Sequence, residues 1–145
     1  MADRWCLLTS YDSGFSEIAA LATPAMRRYA NRYAMEFREA IDATCGRPPA
    51  WSKLYLTRQC FDEGIDYVFW VDADAVIRRF DKDIRDSIRD DADFYFVKER
   101  WRVPDTPSKW RLNTGVYVMR NCPSSRQLLD AAISRREYIN HEWWD

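Results

Sequence analysis

Two aspartates separated by one residue follow one of the most apolar stretches of the chain. Asp72 and Asp74 come directly after the uncharged run Tyr67–Val71. Side chains two apart on extended backbone point the same way, so both carboxylates are expected to converge at the carboxyl end of a buried strand. Alone they would repel each other, and burial would penalise both. Mn²⁺ or Mg²⁺ removes that penalty and keeps positions open for a diphosphate, so the pattern predicts a metal site formed by Asp72 and Asp74.

The same spacing has a plainer interpretation, in which Asp72 caps the following turn and Asp74 is solvated. The strand before the pair favours the metal interpretation, because carboxylates at strand ends in α/β sheets often serve ligands.

The elements that must position this pair alternate between strand and helix patterns. Short apolar runs predict strands at 5–9, 67–71, 93–98 and 116–119. The loop that follows the first of these strands begins at Ser10. The alternation predicts an α/β fold in three layers, with ligands beyond the carboxyl ends of the strands.

Helix signals lie between these strands. Thr23-Pro24 predicts a helix start, with an end near Ala34, and a second helix is expected from about Ala50 to Gly64. Residues 35–41 fit either state, and the apolar spacing over 77–88 predicts a short helix. Pro123 opens a last helix, with Ser124 and Gln127 in capping-box spacing. Its core-facing residues are expected to be Leu128, Leu129, Ala132 and Ile133.

Composition limits the class of protein. The chain has 145 residues, which fits one domain, with 47% hydrophobic and 31% charged residues. A formal net charge of -1 gives no basic excess for a nucleic-acid partner. The first residues hold no run long enough for a signal peptide or a transmembrane segment, which predicts a cytoplasmic location. The four cysteines are scattered without a C-x-x-C pair, which predicts reduced thiols rather than a zinc site.

Several segments in order along the chain resemble glycosyltransferases of the GT-A fold, a Rossmann-like fold of nucleotide-diphospho-sugar transferases. The closest likeness is to the galactosyl/mannosyl/xylosyl transferase family, glycosyltransferase family 34, and glycogenin-like enzymes share a lysine followed by an Asp-x-Asp pair. The matching segments are Trp51-Ser52-Lys53-Leu54, the run through Asp72 and Asp74, Asp93–Phe96, Leu112–Asn121 and Asn140–Asp145.

The resemblance implies a metal-dependent hexosyl- or pentosyltransferase that uses Mn²⁺ or Mg²⁺. Its donor would be a nucleotide-diphosphate sugar, its acceptor a glycan or another hydroxyl compound, and the transfer would retain the anomeric configuration. By this likeness Asp74 binds the metal and Asp72 approaches the metal or the ribose. The donor would be bound by Thr9, Ser10, Tyr11, Lys53, Asp72, Asn113, Thr114 and Gly115.

The sugar gains positive charge as its bond to the diphosphate breaks, and a nearby oxygen can stabilise that charge. Candidates for this catalytic role are Asp145, Glu99 and Asn113. Two donor residues also have plainer interpretations. Lys53 suits an exposed helix lysine, and Gly115 suits either close approach of the backbone to the sugar or a β-bulge.

The chain departs from the family pattern at its end. Family catalytic domains run well beyond the position of Asp145 and carry a late histidine that completes the metal site, whereas the only histidine here is His141. Residues 1–145 are therefore expected to form a single GT-A-like domain, short at its C-terminal end. Two alternatives stay open: a noncatalytic domain that binds nucleotide sugars or glycans, and a phosphohydrolase with Asp72 as nucleophile.

Overall fold

A five-stranded mixed sheet forms the centre of the molecule. The computed structural model describes residues 2–101 and 109–140. The strands are β1 (Trp5–Tyr11), β2 (Glu36–Ile41), β3 (Tyr67–Val71), β4 (Phe94–Trp101) and β5 (Lys109–Arg120), in the spatial order β2-β1-β3-β5-β4. β1 runs parallel to both β2 and β3, and β5 runs antiparallel to β3 and β4.

Helices cover both faces of this sheet, so the expected three-layer α/β architecture is present. They are α1 (Ser16–Arg32), α2 (Ser52–Asp62) and α3 (Pro123–Ser134). One face carries a core of α1 residues packed on β1 and β3, with Met26, Tyr29, Leu7 and Phe69 among its members. On the other face, residues of α2 and α3 pack on Leu8 and Trp70.

Successive side chains of β3 contribute alternately to the cores on the two faces of the sheet. Val68 and Trp70 belong to the α2/α3 core, whereas Phe69 and Val71 belong to the α1 core. Successive side chains of a strand point to opposite faces, so an uninterrupted apolar run is needed when both faces are covered. The strand prediction for 67–71 is confirmed.

The predicted start of the first helix at Thr23-Pro24 is wrong. α1 begins at Ser16 and continues through Pro24, which is exposed. Proline inside a helix removes one backbone hydrogen bond. Burial of Ala19, Ala22 and Met26 against the sheet offsets this loss, because these residues share one face of the helix.

The predicted helix over 77–88 is also wrong, although its apolar residues are partly buried against the α1 core. Only a short 3₁₀ turn, Ile84–Ser87, forms there. The Tyr29 hydroxyl donates to the Lys82 carbonyl at 2.9 Å and accepts from the Ile84 amide at 2.7 Å. These bonds use backbone groups that a helix would need for itself.

The remaining helices follow the sequence more closely. A 3₁₀ turn over Pro49–Trp51 leads into α2, and Gly64, with φ of 79°, follows the helix end. α3 begins at Pro123 as expected, but the capping box is wrong because Ser124 Oγ donates to Asp93 at 2.6 Å instead. Leu128 is 41% exposed rather than in the core.

Two strands are longer than expected and form a hairpin. β4 was predicted to end at Lys98 and β5 to begin at Val116, yet they extend to Trp101 and from Lys109. The pairing shifts register between Phe96 and Val97, whose partners are Tyr117 and Asn113. Residues 114–116 therefore have no partner on β4 and form a bulge. Val116 still pairs with Val71 of β3.

Candidate functional site

A cleft of about 270 Å³ lies where β1 and β3 end. The described residues that line it come from three segments. The end of β1 and the residues after it supply Ser10, Tyr11, Asp12 and Phe15. The turn into α2 and the start of that helix supply Pro49, Ala50, Ser52 and Lys53. The end of β3 and the turn after it supply Trp70, Asp72, Ala73 and Asp74. Parallel strands end at the same edge of a sheet, which brings these segments together.

The aspartate pair lies on a turn rather than on extended backbone. β3 ends at Val71, and the amide of Ala75 donates to the Asp72 carbonyl at 2.9 Å. The prediction that both carboxylates lie on extended backbone and point the same way from it is therefore wrong. Both side chains nevertheless line the cleft, Asp72 half-buried and Asp74 exposed. The turn brings both to one cavity by a different route.

Three groups fix the position of Asp72. The Trp70 indole Nε1 donates to Oδ1 at 2.6 Å, and Lys53 Nζ lies 3.5 Å from the same oxygen. The Asp72 amide donates to the Gly115 carbonyl at 2.7 Å. Hydrogen bonds to the ionised form stabilise a carboxylate, so this one is oriented before any ligand arrives.

Trp70 was not among the sequence-derived site residues. It stands two positions before Asp72 and is 2% exposed. Buried indole N–H groups usually find a hydrogen-bond partner. A tryptophan in an apolar strand, two residues before an aspartate, was therefore the sequence signal that could have identified Trp70 as a site residue.

Lys53 is a buried cation, so its interpretation as an exposed helix lysine is wrong. The residue is 4% exposed, and its Nζ lies 3.5 Å from both the carbonyl and the hydroxyl oxygen of Thr114. It is also 5.8 Å from the centre of the Trp70 ring. A buried charge needs compensation, and Asp72 with the Thr114 oxygens provides it. The ammonium therefore stands in the cleft wall beside the aspartates.

Gly115 makes room for the Asp72 carboxylate. A Cβ built at Gly115 would lie 2.8 Å from Asp72 Oδ2 and 3.0 Å from Asn113 Oδ1. Both distances are shorter than ordinary contact between carbon and oxygen. Of the two sequence interpretations, the bulge is present, and the close neighbour of the glycine is this protein's own carboxylate.

Asn113 and Glu99 form a network next to that bulge. Asn113 Oδ1 accepts from the Gly115 amide at 2.8 Å, and Nδ2 donates to Glu99 Oε2 at 3.2 Å. Arg111 lies opposite Glu99 on the hairpin and donates to it at 3.0 Å. The bonds from Asn113 and Arg111 lower the pKa of the Glu99 carboxyl. Neither Glu99 nor Asn113 is among the described residues that line the cleft.

At the end of β1, Ser10 and Tyr11 line the cleft, whereas Thr9 lies in the interior. Ser10 Oγ is 3.0 Å from Ser52 Oγ, and the Tyr11 hydroxyl donates to Glu39 at 2.7 Å. That bond to Glu39 raises the pKa of Tyr11. Thr9 is fully buried and is not part of the described cleft lining, so it lies in the sheet interior, and its contact with the nucleotide stays a prediction.

The predicted catalytic Asp145, together with His141, lies outside the described residues.

The carboxylate chemistry of the cleft would suit a divalent cation that keeps several waters. Asp72 and Asp74 supply hard carboxylate oxygens at one cleft. Within residues 2–101 and 109–140, no group of three or more His, Cys, Asp or Glu side chains is arranged to hold a metal. Mg²⁺ is typically bound through one or two carboxylates with water and substrate phosphates completing its shell, and this donor set suits that mode.

Comparison with solved structures identifies the architecture. The chain superposes on the crystal structure of a glycosyltransferase involved in the glycosylation of the major capsid of PBCV-1, with a TM-score of 0.69. The match covers 97% of this chain and 69% of that one, at 14% sequence identity. The chain has the fold of a glycosyltransferase.

Curated sequences support the relationship over part of the chain. Two rice proteins, each described as "Probable glycosyltransferase 7" and from the indica and japonica subspecies of Oryza sativa, are 34% identical over 85 residues. The alignment covers 56% of this chain and 19% of each rice protein. The chain thus matches about a fifth of the length of these relatives. No protein-family model matches the sequence.

Among the described helices, none combines the length and apolarity that crossing a bilayer requires.

Proposed function

We propose that this protein is a metal-dependent glycosyltransferase of the GT-A type that takes a nucleotide-diphosphate sugar as donor. The observation that carries the proposal is the cleft in which Asp72, Asp74 and buried Lys53 stand together. The fold match and the partial identity to the rice glycosyltransferases support it. Membership of family 34, retention of configuration and transfer of a hexose or pentose come from the sequence resemblance.

Lys53 and the two aspartates have separate roles at the donor diphosphate. Negative charge grows on the diphosphate as the bond from its oxygen to the anomeric carbon breaks. The Lys53 ammonium, fixed in a water-poor wall, stabilises that charge more than an exposed lysine would. Asp72 and Asp74 would hold Mn²⁺ or Mg²⁺, which supplies Lewis-acid neutralisation of the leaving group when bound.

Trp70 and Gly115 position the first aspartate. The indole holds one carboxylate oxygen, and the missing Cβ of Gly115 gives the other oxygen its space. Ser10 and Tyr11 line the same cleft and would face the nucleoside. Prepositioned groups avoid reorganisation when the donor binds.

Glu99 and Asn113 suit a positioning role rather than direct contact with the sugar. Their oxygens already bind Arg111 and the Gly115 amide, and they brace the bulge that carries Thr114. A catalytic role for Asp145 stays a prediction.

Calorimetry of donor binding tests the proposal. UDP-glucose and GDP-mannose are titrated with and without Mn²⁺ into wild type, Asp74→Asn and the matched control Asp90→Asn, which changes an exposed aspartate away from the cleft. We expect Mn²⁺ to tighten binding of one donor, and Asp74→Asn to weaken it about tenfold or more, a loss of about 1.4 kcal/mol.

Equal Mn²⁺-dependent affinity in Asp74→Asn and wild type would refute the metal assignment. Donor turnover with added glycan acceptors separates an enzyme from a noncatalytic binding domain.

A further inference from the structure

A second cavity of about 420 Å³ adjoins the cleft on the α2/α3 face of the sheet. Its described lining comes from the turn before α2, from α2, from α3 and the residues after it, and from the β4–β5 hairpin. This lining is mostly carbon, with Lys53, Thr114 and Arg135 among its polar members. The main contributors are Trp51, Leu54, Phe96, Tyr117, Leu128 and Ala132. Binding pockets for small molecules have volumes of about 300–1,000 Å³ and a similar apolar lining. We call this cavity the apolar pocket.

The apolar pocket shares a wall with the candidate donor cleft. Lys53 and Ala50 line both cavities, and Thr114 lines the apolar pocket beside them. Lys53 Nζ is 3.5 Å from Thr114 Oγ1 and 3.5 Å from Asp72 Oδ1. Lys53 and Thr114 therefore form a polar wall of the apolar pocket next to the proposed reaction centre.

Apolar side chains in this pocket stay in contact with water. Leu128 is 41% exposed although its helix position suggests a core residue, and Tyr138 is 48% exposed. Apolar surface left in water costs free energy, and a contiguous concave patch of it marks a binding site. A glycan would bring many hydroxyl groups that find few partners here, and unpartnered polar groups oppose binding. The chemistry favours an alkyl or aryl group.

We propose that the apolar pocket binds the apolar part of an amphiphilic acceptor, a hydroxyl compound that carries an alkyl or aryl group. This rests on the proposed transferase function. The acceptor hydroxyl faces the Lys53 wall. Its oxygen forms the new bond to the anomeric carbon of the donor, the bond from that carbon to the diphosphate oxygen breaks, and the electron pair leaves on the diphosphate. The hydroxyl proton passes to the departing phosphate oxygen.

Matched alkyl glucosides test the pocket without donor or metal. Octyl β-D-glucoside, kept below its micelle concentration, and methyl β-D-glucoside share the sugar and differ in the chain. Each buried methylene strengthens binding about fourfold. We therefore expect the octyl compound to bind at least about tenfold more tightly in calorimetry. Equal or undetectable binding of both compounds would overturn the proposal.

Three substitutions on α3 distinguish binding in this pocket from general surface effects. Ala132→Phe fills the cavity and is expected to weaken octyl glucoside binding about tenfold, the equivalent of two buried methylenes. Ala131→Phe places the same ring on an exposed neighbour and should leave binding unchanged. Leu128→Ser changes a position already 41% exposed, so we expect this second variant to fold.

Donor titration with Mn²⁺ on the same variants distinguishes the two proposals. Octyl glucoside that fails to bind while the donor binds removes only the apolar pocket. A donor that fails to bind wild-type protein removes the transferase function, whatever the glucosides do. Unchanged octyl affinity in both Ala132→Phe and Leu128→Ser would place the glucoside elsewhere and contradict the assignment.

Discussion

Replacement of Gly115 by alanine should disturb the cleft through one contact. The added Cβ would lie 2.8 Å from Asp72 Oδ2 and 3.0 Å from Asn113 Oδ1. The Asp72 carboxylate cannot simply rotate away, because Trp70 Nε1 holds its other oxygen at 2.6 Å. Either the side chains move by several tenths of an ångström, or that hydrogen bond is broken.

The expected loss in the free energy of unfolding follows from these two possibilities, displacement of the side chains or loss of the hydrogen bond. Overpacking in a tight site costs about 1–3 kcal/mol, and loss of a hydrogen bond to a charged group costs about 1.5–3 kcal/mol. The free energy of unfolding should therefore fall by about 1–3 kcal/mol in Gly115→Ala. Donor affinity with Mn²⁺ should fall as well, since the displaced carboxylate belongs to the proposed metal site.

A double-mutant cycle with Asp72→Ala isolates the contact. Urea denaturation is measured for wild type, both single variants and the double variant. Because Asp72→Ala removes the oxygen at 2.8 Å, Gly115→Ala should cost about 1 kcal/mol less in that background. Gly46→Ala is the control, since Gly46 has a φ of 71° and no atom near its missing Cβ, so it reports backbone strain alone. Equal costs of Gly115→Ala in both backgrounds would refute the steric explanation.

Three further outcomes are expected. Lys53→Met keeps the buried stem but removes the ammonium, and should weaken donor binding about tenfold in calorimetry, whereas the exposed-site control Lys82→Met should not. Trp70→Phe keeps an aromatic ring and removes the N–H donor, and should also weaken Mn²⁺-dependent donor binding about tenfold; unchanged affinity would contradict a positioning role. The bond from Arg126 lowers the pKa of Asp62 below its usual 3.8. The stabilisation of the folded state by this ion pair is therefore present above pH 3.8 and is lost as the pH falls through the lowered pKa of Asp62 in the folded protein. Urea midpoints between pH 7 and 2 should fall less steeply at the acid end in Arg126→Met than in wild type, and parallel curves would contradict this.

The sheet was predictable where burial alone decides the structure. The uncharged run of β3 and the helix signals of α2 and α3 agree with their surroundings in the fold. The start of α1 was missed because Pro24 is a strong local signal that packing on the sheet overrides. The 77–88 segment has helical apolar spacing, but its backbone is held by the hydroxyls of Tyr29 and Tyr33, a tertiary effect that periodicity does not reveal.

The site was predictable in its residue types and less so in its geometry. Asp72, Asp74 and Lys53 do line one cleft, although the aspartates reach it through a turn. The burial of Lys53 depends on Trp70 and Thr114, which lie on different strands, and such long-range compensation leaves no local pattern. The apolar pocket is likewise formed by side chains far apart along the chain.

The bulge divides the β4–β5 hairpin into two halves that differ in the number of strands paired with β5. On one side β5 pairs with both β3 and β4, whereas residues 109–113 pair with β4 alone within the described strands. A two-stranded ribbon is marginally stable by itself. Backbone amides of 109–113 should therefore exchange with deuterium sooner than those of 117–119, through local opening that leaves the central sheet intact. Glu99 and Asn113 belong to the half that opens first. Their hydrogen bonds to each other and to the Gly115 amide would therefore be the first contacts of the site to be lost on mild denaturation.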